Sequence, residues 1–383
     1  MTERPWHRTA RRLALAGGLA ATMALLLVAT AAAGSSVSVS GSAYVDDWNV
    51  GTAKAARHAP SGVSIEGALK MSVDVNDDVA FAAKACFSCH GLELESIAFE
   101  YMPSNAFNVQ AGRISVPFGE YHARVDQSGH KTASAPLIYD MGRAAYFEKG
   151  AMNMGVLPMP YVDTGVLVYG QRFLGPVQAW YGIYGVGGLR GGNDIDWTSM
   201  RSLYYTDTNR DPAGGARVSF TYAAGTGGFI KNSSVGASFT AGSYDRDSKL
   251  KYLVWGADAV VGLGPVTLRA EYAWRRTDLS PTANYAFQVV DPWVRKDGWY
   301  VEAEGPFTER LSGVVRLDEL RRTGVLLPGA TAGMAQDSEI LRTSAGLVYT
   351  PAQSIFVKLG YEYWSPSDFS SFHSVHLGFG GAY

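Results

Sequence analysis

Between residues 265 and 276, apolar Val266, Leu268, Ala270, Tyr272 and Trp274 alternate with Thr267, Arg269, Glu271 and Arg275. That is the period of a strand with one apolar and one charged face. Segments of similar length recur down the chain with turn residues between them, so the polypeptide is committed to sheet. We read strands at 37–45, 62–75, 79–85, 92–102, 107–116, 161–171, 176–187 and 214–225. Further strands follow at 233–243, 250–262, 265–276, 297–305, 309–320, 338–350, 353–364 and 372–383, sixteen in all.

The N-terminus carries Arg4, Arg8, Arg11 and Arg12, then an apolar run from Leu13 to Val28, then small residues from Ala31 to Gly34. This is the layout of a secretory signal peptide over 1–33, with the remainder exported. Beyond it no apolar run is long enough for a membrane helix, so a membrane-embedded chain must close its strands into a barrel. The connections support closure. Short turns at 76–78, 103–105, 174–176, 262–265, 305–308 and 350–353, with a slightly longer link at 226–232, fall at one end, whereas 46–61, 117–160, 188–213, 277–296 and 321–337 fall at the other, along with shorter links at 86–91, 244–249 and 365–371. That asymmetry is expected of an outer-membrane antiparallel β-barrel of about 16 strands (14–18), formed by 34–383 as one domain. The closing FHSVHLGFGGAY alternates and ends on Tyr383, resembling the terminal signal by which such barrels are recognised for assembly. Trp180, Trp255, Trp274, Trp299 and Trp364 are candidates for interfacial aromatic girdles.

A formal net charge of -2 gives no reason to expect nucleic acid as a partner. No Ser-His-Asp order, phosphate loop or paired-carboxylate spacing argues for an enzyme.

The only two cysteines, Cys86 and Cys89, are followed directly by His90 in ACFSCHG. Cys-x-x-Cys-His is the attachment motif of c-type haem: each thiol adds across one vinyl group, and the adjacent imidazole reaches the iron. A disulfide between the two thiols is the competing reading. A distal iron ligand would come from His122, His130, Met141, Met152 or Met154, which all fall in the long connection 117–160. A connection of that length is expected to fold into the lumen or across its mouth.

A single haem motif joined to a porin-like barrel resembles the outer-membrane cytochrome–porin fusions, some of which oxidise ferrous iron at the cell surface. FNVQAGRISVPFGEYH also looks like the arginine-bearing strand and inward loop of phosphate-selective and related porins. The resemblance implies one covalent haem c, with His90 as proximal ligand. It implies electron exchange between an extracellular donor or acceptor and a periplasmic c-type cytochrome or other carrier, in a barrel surrounded by outer-membrane lipid. In the iron-oxidising fusions the motif lies near the mature N-terminus, whereas here two strands precede it. The alternative is an anion or small-solute porin in which the cysteines are bridged or the haem is regulatory. Selectivity would then come from lumenal arginines such as Arg113, Arg143, Arg172, Arg190, Arg201, Arg217 and Arg269.

Overall fold

The computed structural model describes residues 36–50, 62–88, 91–139, 146–147, 150–151, 155–189, 211–222, 229–279, 288–289, 291–324, 326–327, 337–367 and 370–383. Sixteen antiparallel strands close into one barrel, each paired with its sequence neighbours and the last with the first. They are β1 (Ser36–Val50), β2 (Gly62–Asn76), β3 (Val79–Ser88), β4 (Gly91–Ser104), β5 (Phe107–Ser115), β6 (Val162–Leu174), β7 (Val177–Val186) and β8 (Ala213–Tyr222). The circuit continues with β9 (Ile230–Ser243), β10 (Lys251–Leu263), β11 (Val266–Asp278), β12 (Trp293–Pro306), β13 (Leu311–Thr323), β14 (Asp337–Ala352), β15 (Ile355–Pro366) and β16 (Phe372–Ala382). Most strands have the length a tilted bilayer crossing needs.

Alternation assigns the two faces. On β13, Val315 and Leu317 point outward and are exposed, while Arg316 and Asp318 point inward and are buried. The same holds on β16, where Val375, Leu377 and Phe379 are outside and Ser374 and His376 inside. An exterior of exposed valine, leucine, phenylalanine and tyrosine over a charged interior suits hydrocarbon outside and polar groups within. Trp255, Trp274 and Trp299 lie on the outward register, as a girdle requires. Trp180 and Trp364 do not: Trp180 stacks on the inward Tyr169, and Trp364 is buried under the Arg342 guanidinium and against Phe372. Trp364 shares the parity of Glu362 and Lys358, so alternation sends it inward with them.

Short turns sit at one end, among them 105–106, 175–176, 264–265 and 353–354. The long connections gather at the other, with β3 and β4 joined there across only residues 89–90. This β3–β4 hairpin is recessed: Cys86 pairs with Ala68, and β2 continues six residues further to Gly62, roughly 20 Å at strand rise. Strand β5 stops at Ser115, and the chain then turns into the barrel.

Candidate functional site

The connection between β5 and β6 fills much of the lumen. Its first leg begins at Val116–Phe118 and reaches Gly119, whose φ of +72° suits a residue without Cβ. The inward Glu271 of β11 receives the Tyr121 backbone N–H at 3.2 Å, the Tyr139 hydroxyl at 2.6 Å and the Tyr300 hydroxyl at 3.3 Å. A Cβ at position 119 would stand 1.8 Å from Glu271 Oε1, so only glycine permits this approach.

The next turn, a short 3-10 helix over Tyr121–Arg124, carries charge to the β11–β12 wall. Arg124 pairs with Glu120 at 2.9 Å and Glu302 at 3.1 Å, and Arg269 pairs with Glu120 at 3.2 Å and Glu304 at 2.6 Å. The chain then crosses to β13–β15. Arg316 donates to the Thr132 hydroxyl at 2.8 Å and the Ser134 carbonyl at 3.0 Å, and Arg342 donates to the Ala135 carbonyl at 2.6 Å. Asp318 accepts the Leu137 N–H at 3.1 Å and the Arg342 Nε at 3.0 Å. Lys358 donates to the carbonyls of Gln127 at 2.6 Å and His130 at 2.7 Å. Each of these buried charges therefore has hydrogen-bonded partners, which is the condition for tolerating it away from water. Apolar side chains complete the filling: Phe118, Leu137, Ile138, Val156, Leu157 and Tyr161 of the connection pack with inward Tyr184, Tyr252, Val254, Tyr300 and Leu320.

The opposite wall is built differently. The inward register of β1–β3 is small at Ser38, Ser40, Ser42, Ala68, Ser72 and Ala82, and bulky toward the long-connection end at Tyr44 and Trp48. Among them rise half-exposed Lys70 and the better-covered Lys84, which converge on Asp126 of the connection, each at 2.6 Å. Lys84 also meets Glu95 at 2.7 Å, and Gln127 donates to Glu66 at 3.3 Å. On this wall Ser38 and Ser40 are exposed and Lys70 is half-exposed.

Cys86 follows Lys84 by two residues on β3, so it shares that lumenal face. Cys89 and His90 lie outside the described residues, as do Met141, Met152 and Met154. The two histidines part company. His130 is buried, its Nδ1 bonded to the Thr132 carbonyl at 2.9 Å, beside Tyr121 and Lys358. Burial, and then Lys358, Arg124 and Arg316, hold its pKa well below the usual value. His122 lies nearer β3–β5, with Nε2 3.1 Å from the Ser115 hydroxyl. Burial, reinforced by Arg217 and Lys84, lowers its pKa to about 4, so the imidazole is neutral near pH 7. No trio of metal-binding side chains gathers among the described residues.

The arginines expected to face a solute are mostly engaged. Arg217 forms a fork to Asp258 at 2.6 and 3.0 Å, Arg269 is paired as above, and Arg113 donates to the Glu95 carbonyl at 2.9 Å. Arg172 is exposed near the short-turn end of β6. Arg143, Arg190 and Arg201 lie outside the described residues. Arg316, Arg342 and Lys358, which hold the connection in place, escaped the sequence reading. Charge at Arg316, Asp318 and Arg322 on one parity of β13, interrupted by Leu320, was the available signal that this face is lumenal.

No family model and no curated protein matches the chain. Solved structures do. The chain is similar to an anion-selective porin from Comamonas acidovorans, with 13% identity over 91% of this chain and 100% of that one at a TM-score of 0.57. It is also similar to the outer membrane channel DcaP of Acinetobacter baumannii, with 14% identity over 91% and 97% at 0.56. OmpT of Vibrio cholerae, expressed in the outer membrane, follows with 9% identity over 91% and 98% at 0.53. The fold is the sixteen-strand barrel of outer-membrane porins.

Proposed function

We propose that this protein is an outer-membrane porin that passes small hydrophilic solutes between its inward-folded connection and the wall formed by β1–β3. The carrying observation is the division of the lumen. Strands β13–β15 hold the connection through arginines, whereas β1–β2 present exposed Ser38 and Ser40 and half-exposed Lys70, with Lys70 and Lys84 reaching the connection only through Asp126. A lumen so divided passes what fits beside the connection and stops larger molecules. Export would proceed through residues 1–33. Reconstitution of the purified protein into planar bilayers tests the reading: discrete conductance steps are expected, and a barrel that inserts without conducting refutes it.

A second reading concerns the cysteine hairpin and is favoured by the lumenal face of Cys86 beside small Ala68. Cys86 and Cys89 would hold a haem c by thioether bonds, with His90 as its proximal ligand and neutral His122 on the nearby stretch of the connection. The group would supply one-electron redox chemistry. The chain's own contribution is a recessed, walled position from which electrons could pass between an extracellular donor or acceptor and a periplasmic c-type cytochrome. Reduced-minus-oxidised spectra of membranes test it. A c-type band lost in Cys86→Ala is expected, and no band in the wild type leaves the passage reading alone.

A further inference from the structure

Trp180 has no place in a lipid-facing girdle, and its inward seat is shared with a second ring. Its cross-strand partner on β6 is Gln171, and Tyr169, two residues before Gln171, faces the lumen with it. The two rings lie 6.1 Å apart, centre to centre, and 27° from parallel. Rings at that spacing are offset, so neither covers the face of the other. The indole extends over Gly182, where a Cβ would stand 2.7 Å from its Cη2 atom, so the absent side chain leaves it a bed. Tyr169 packs against the buried cluster that contains Leu167 and Tyr184, which holds its ring in place.

Polar groups surround this aromatic floor on the inward register of β4–β7. The Tyr169 hydroxyl donates to Glu100 of β4, spanning β5 to reach it. On β5, Asn108 stands directly opposite Tyr169, and Gln110 directly opposite Glu100. Gln178 of β7 donates to Gln171 of β6 at 2.5 Å. Both rings, Glu100 and the three glutamines are partly exposed. Asn108 is only 7% exposed, yet among the described residues its side-chain amide has no hydrogen-bond partner. The Trp180 Nε1–H is likewise without one among them, whereas Trp299 and Trp364 donate to Glu319 and Glu362. Donors and acceptors so covered must find their partners in whatever occupies the lumen.

This set of groups has a definite ligand chemistry. No cation belongs to it: Arg172 is exposed on the opposite parity from Gln171, and Lys84 is held by Glu95 and Asp126. An anionic solute would meet Glu100 with nothing to offset the repulsion. An organic cation would use the rings and Glu100 but leave the four amides without a role. A pyranose suits every element. Its C–H groups carry partial positive charge and settle on the negative face of an aromatic ring. Its hydroxyls both donate and accept, as amides and a carboxylate require. Trp180 lies four residues from the 175–176 turn, roughly 13 Å at strand rise, so the floor lines the lumen toward the short-turn end.

Resting on the passage reading, we propose that Trp180 and Tyr169 form the floor, and Glu100, Asn108, Gln171 and Gln178 the hydroxyl-binding rim, of a lumenal site for a neutral sugar. The sugar ring rests on the aromatic floor, and its hydroxyls engage the amide atoms that the protein leaves unpaired. A sugar held there on its way through is taken up ahead of other solutes of equal size.

The test uses the full chain refolded in a zwitterionic detergent without a sugar headgroup, with binding read by intrinsic fluorescence and saturation-transfer NMR. The probes are glucose, maltose and choline chloride. A saturable response to glucose or maltose is expected, and Trp180→Ala should weaken it by about tenfold. Trp180→Phe keeps a ring and should retain most of the affinity. Trp255→Phe, on the lipid-facing register, should change nothing. Heat-modifiable gel mobility confirms that each variant is a closed barrel. No saturable response to either sugar in the folded wild type, or an unchanged half-saturation in Trp180→Ala, overturns the proposal. Choline binding that is tighter than maltose binding and is lost in Glu100→Gln overturns the sugar as the occupant. Because binding is read in micelles, a wild type that binds maltose but gives no conductance steps in planar bilayers defeats the passage reading alone.

Discussion

Gly119→Ala should unseat the first leg of the lumenal connection while leaving the barrel closed. The added methyl would lie 1.8 Å from Glu271 Oε1 and 2.7 Å from the Tyr139 hydroxyl, so the carboxylate must move away from the groups it holds. The backbone there has φ +72°, which costs a residue with Cβ about 1–2 kcal/mol. Losing one hydrogen bond to the charged carboxylate adds about 1.5–3 kcal/mol. Together these set about 3–5 kcal/mol against docking, enough to lower the docked population by two to three orders of magnitude on a scale of about 1.4 kcal/mol per tenfold. Arg316, Arg342 and Lys358 bind the chain further on, at 127–135, so the disturbance should stay in the first leg. Single-channel conductance should rise, and trypsin should cut after Arg124 in the variant but not in the wild type. Gly175→Ala is the control, since Gly175 has φ +63° but nothing within 4 Å of an added Cβ. Unchanged conductance and protease resistance in a closed Gly119→Ala barrel would refute the account of how the connection is seated.

Three more outcomes are expected. Arg342→Met, which leaves Asp318 and Glu362 without that partner, should destabilise the folded protein by about 3–5 kcal/mol, read as a lower urea midpoint. Asp126 responds to pH: burial opposes its ionisation, but Lys84 and Lys70 more than offset this and hold its carboxyl below the ordinary range. Because its folded pKa is depressed, its tether is fully present above the unfolded carboxylate value of about 3.9 and is lost as pH falls through the lower folded value. Conductance should therefore change in that acid window in the wild type, and Asp126→Asn should show the low-pH level at neutral pH. Deleting Ala382 and Tyr383 removes the Tyr383 bonds to Gly41 at 3.0 and 3.1 Å and the Ala382 bond to Ser354 at 2.9 Å, and heat-modifiable barrel should form in lower yield.

Most strands were legible because their alternation is long enough to show its period, and the longest connections, such as 116–161, all fall at one end although short links such as 89–90 fall there too. Trp364 was misplaced because a tryptophan fits a girdle by type, whereas its parity with Glu362 decides its side. The partners of Arg316 and Arg342 were beyond reach. Nothing local ties them to carbonyls at Ser134 and Ala135, more than 180 positions earlier, since backbone acceptors leave no residue-type signature. His122 and His130 look alike in sequence, and they part only when one folds toward β3–β5 and the other under Lys358.

The seam between β1 and β16 bears on how the molecule is made. Ser42 pairs with Ala382, its partner 340 positions later, and no other strand can serve the outer edge of β1. At about 5–20 residues per second, a ribosome finishes the last strand roughly 20–70 s after the first. Throughout that interval β1 offers an open row of N–H and C=O groups beside apolar side chains, a template for aggregation. The chain must therefore stay unclosed and be held apart from its neighbours until β16 has been made.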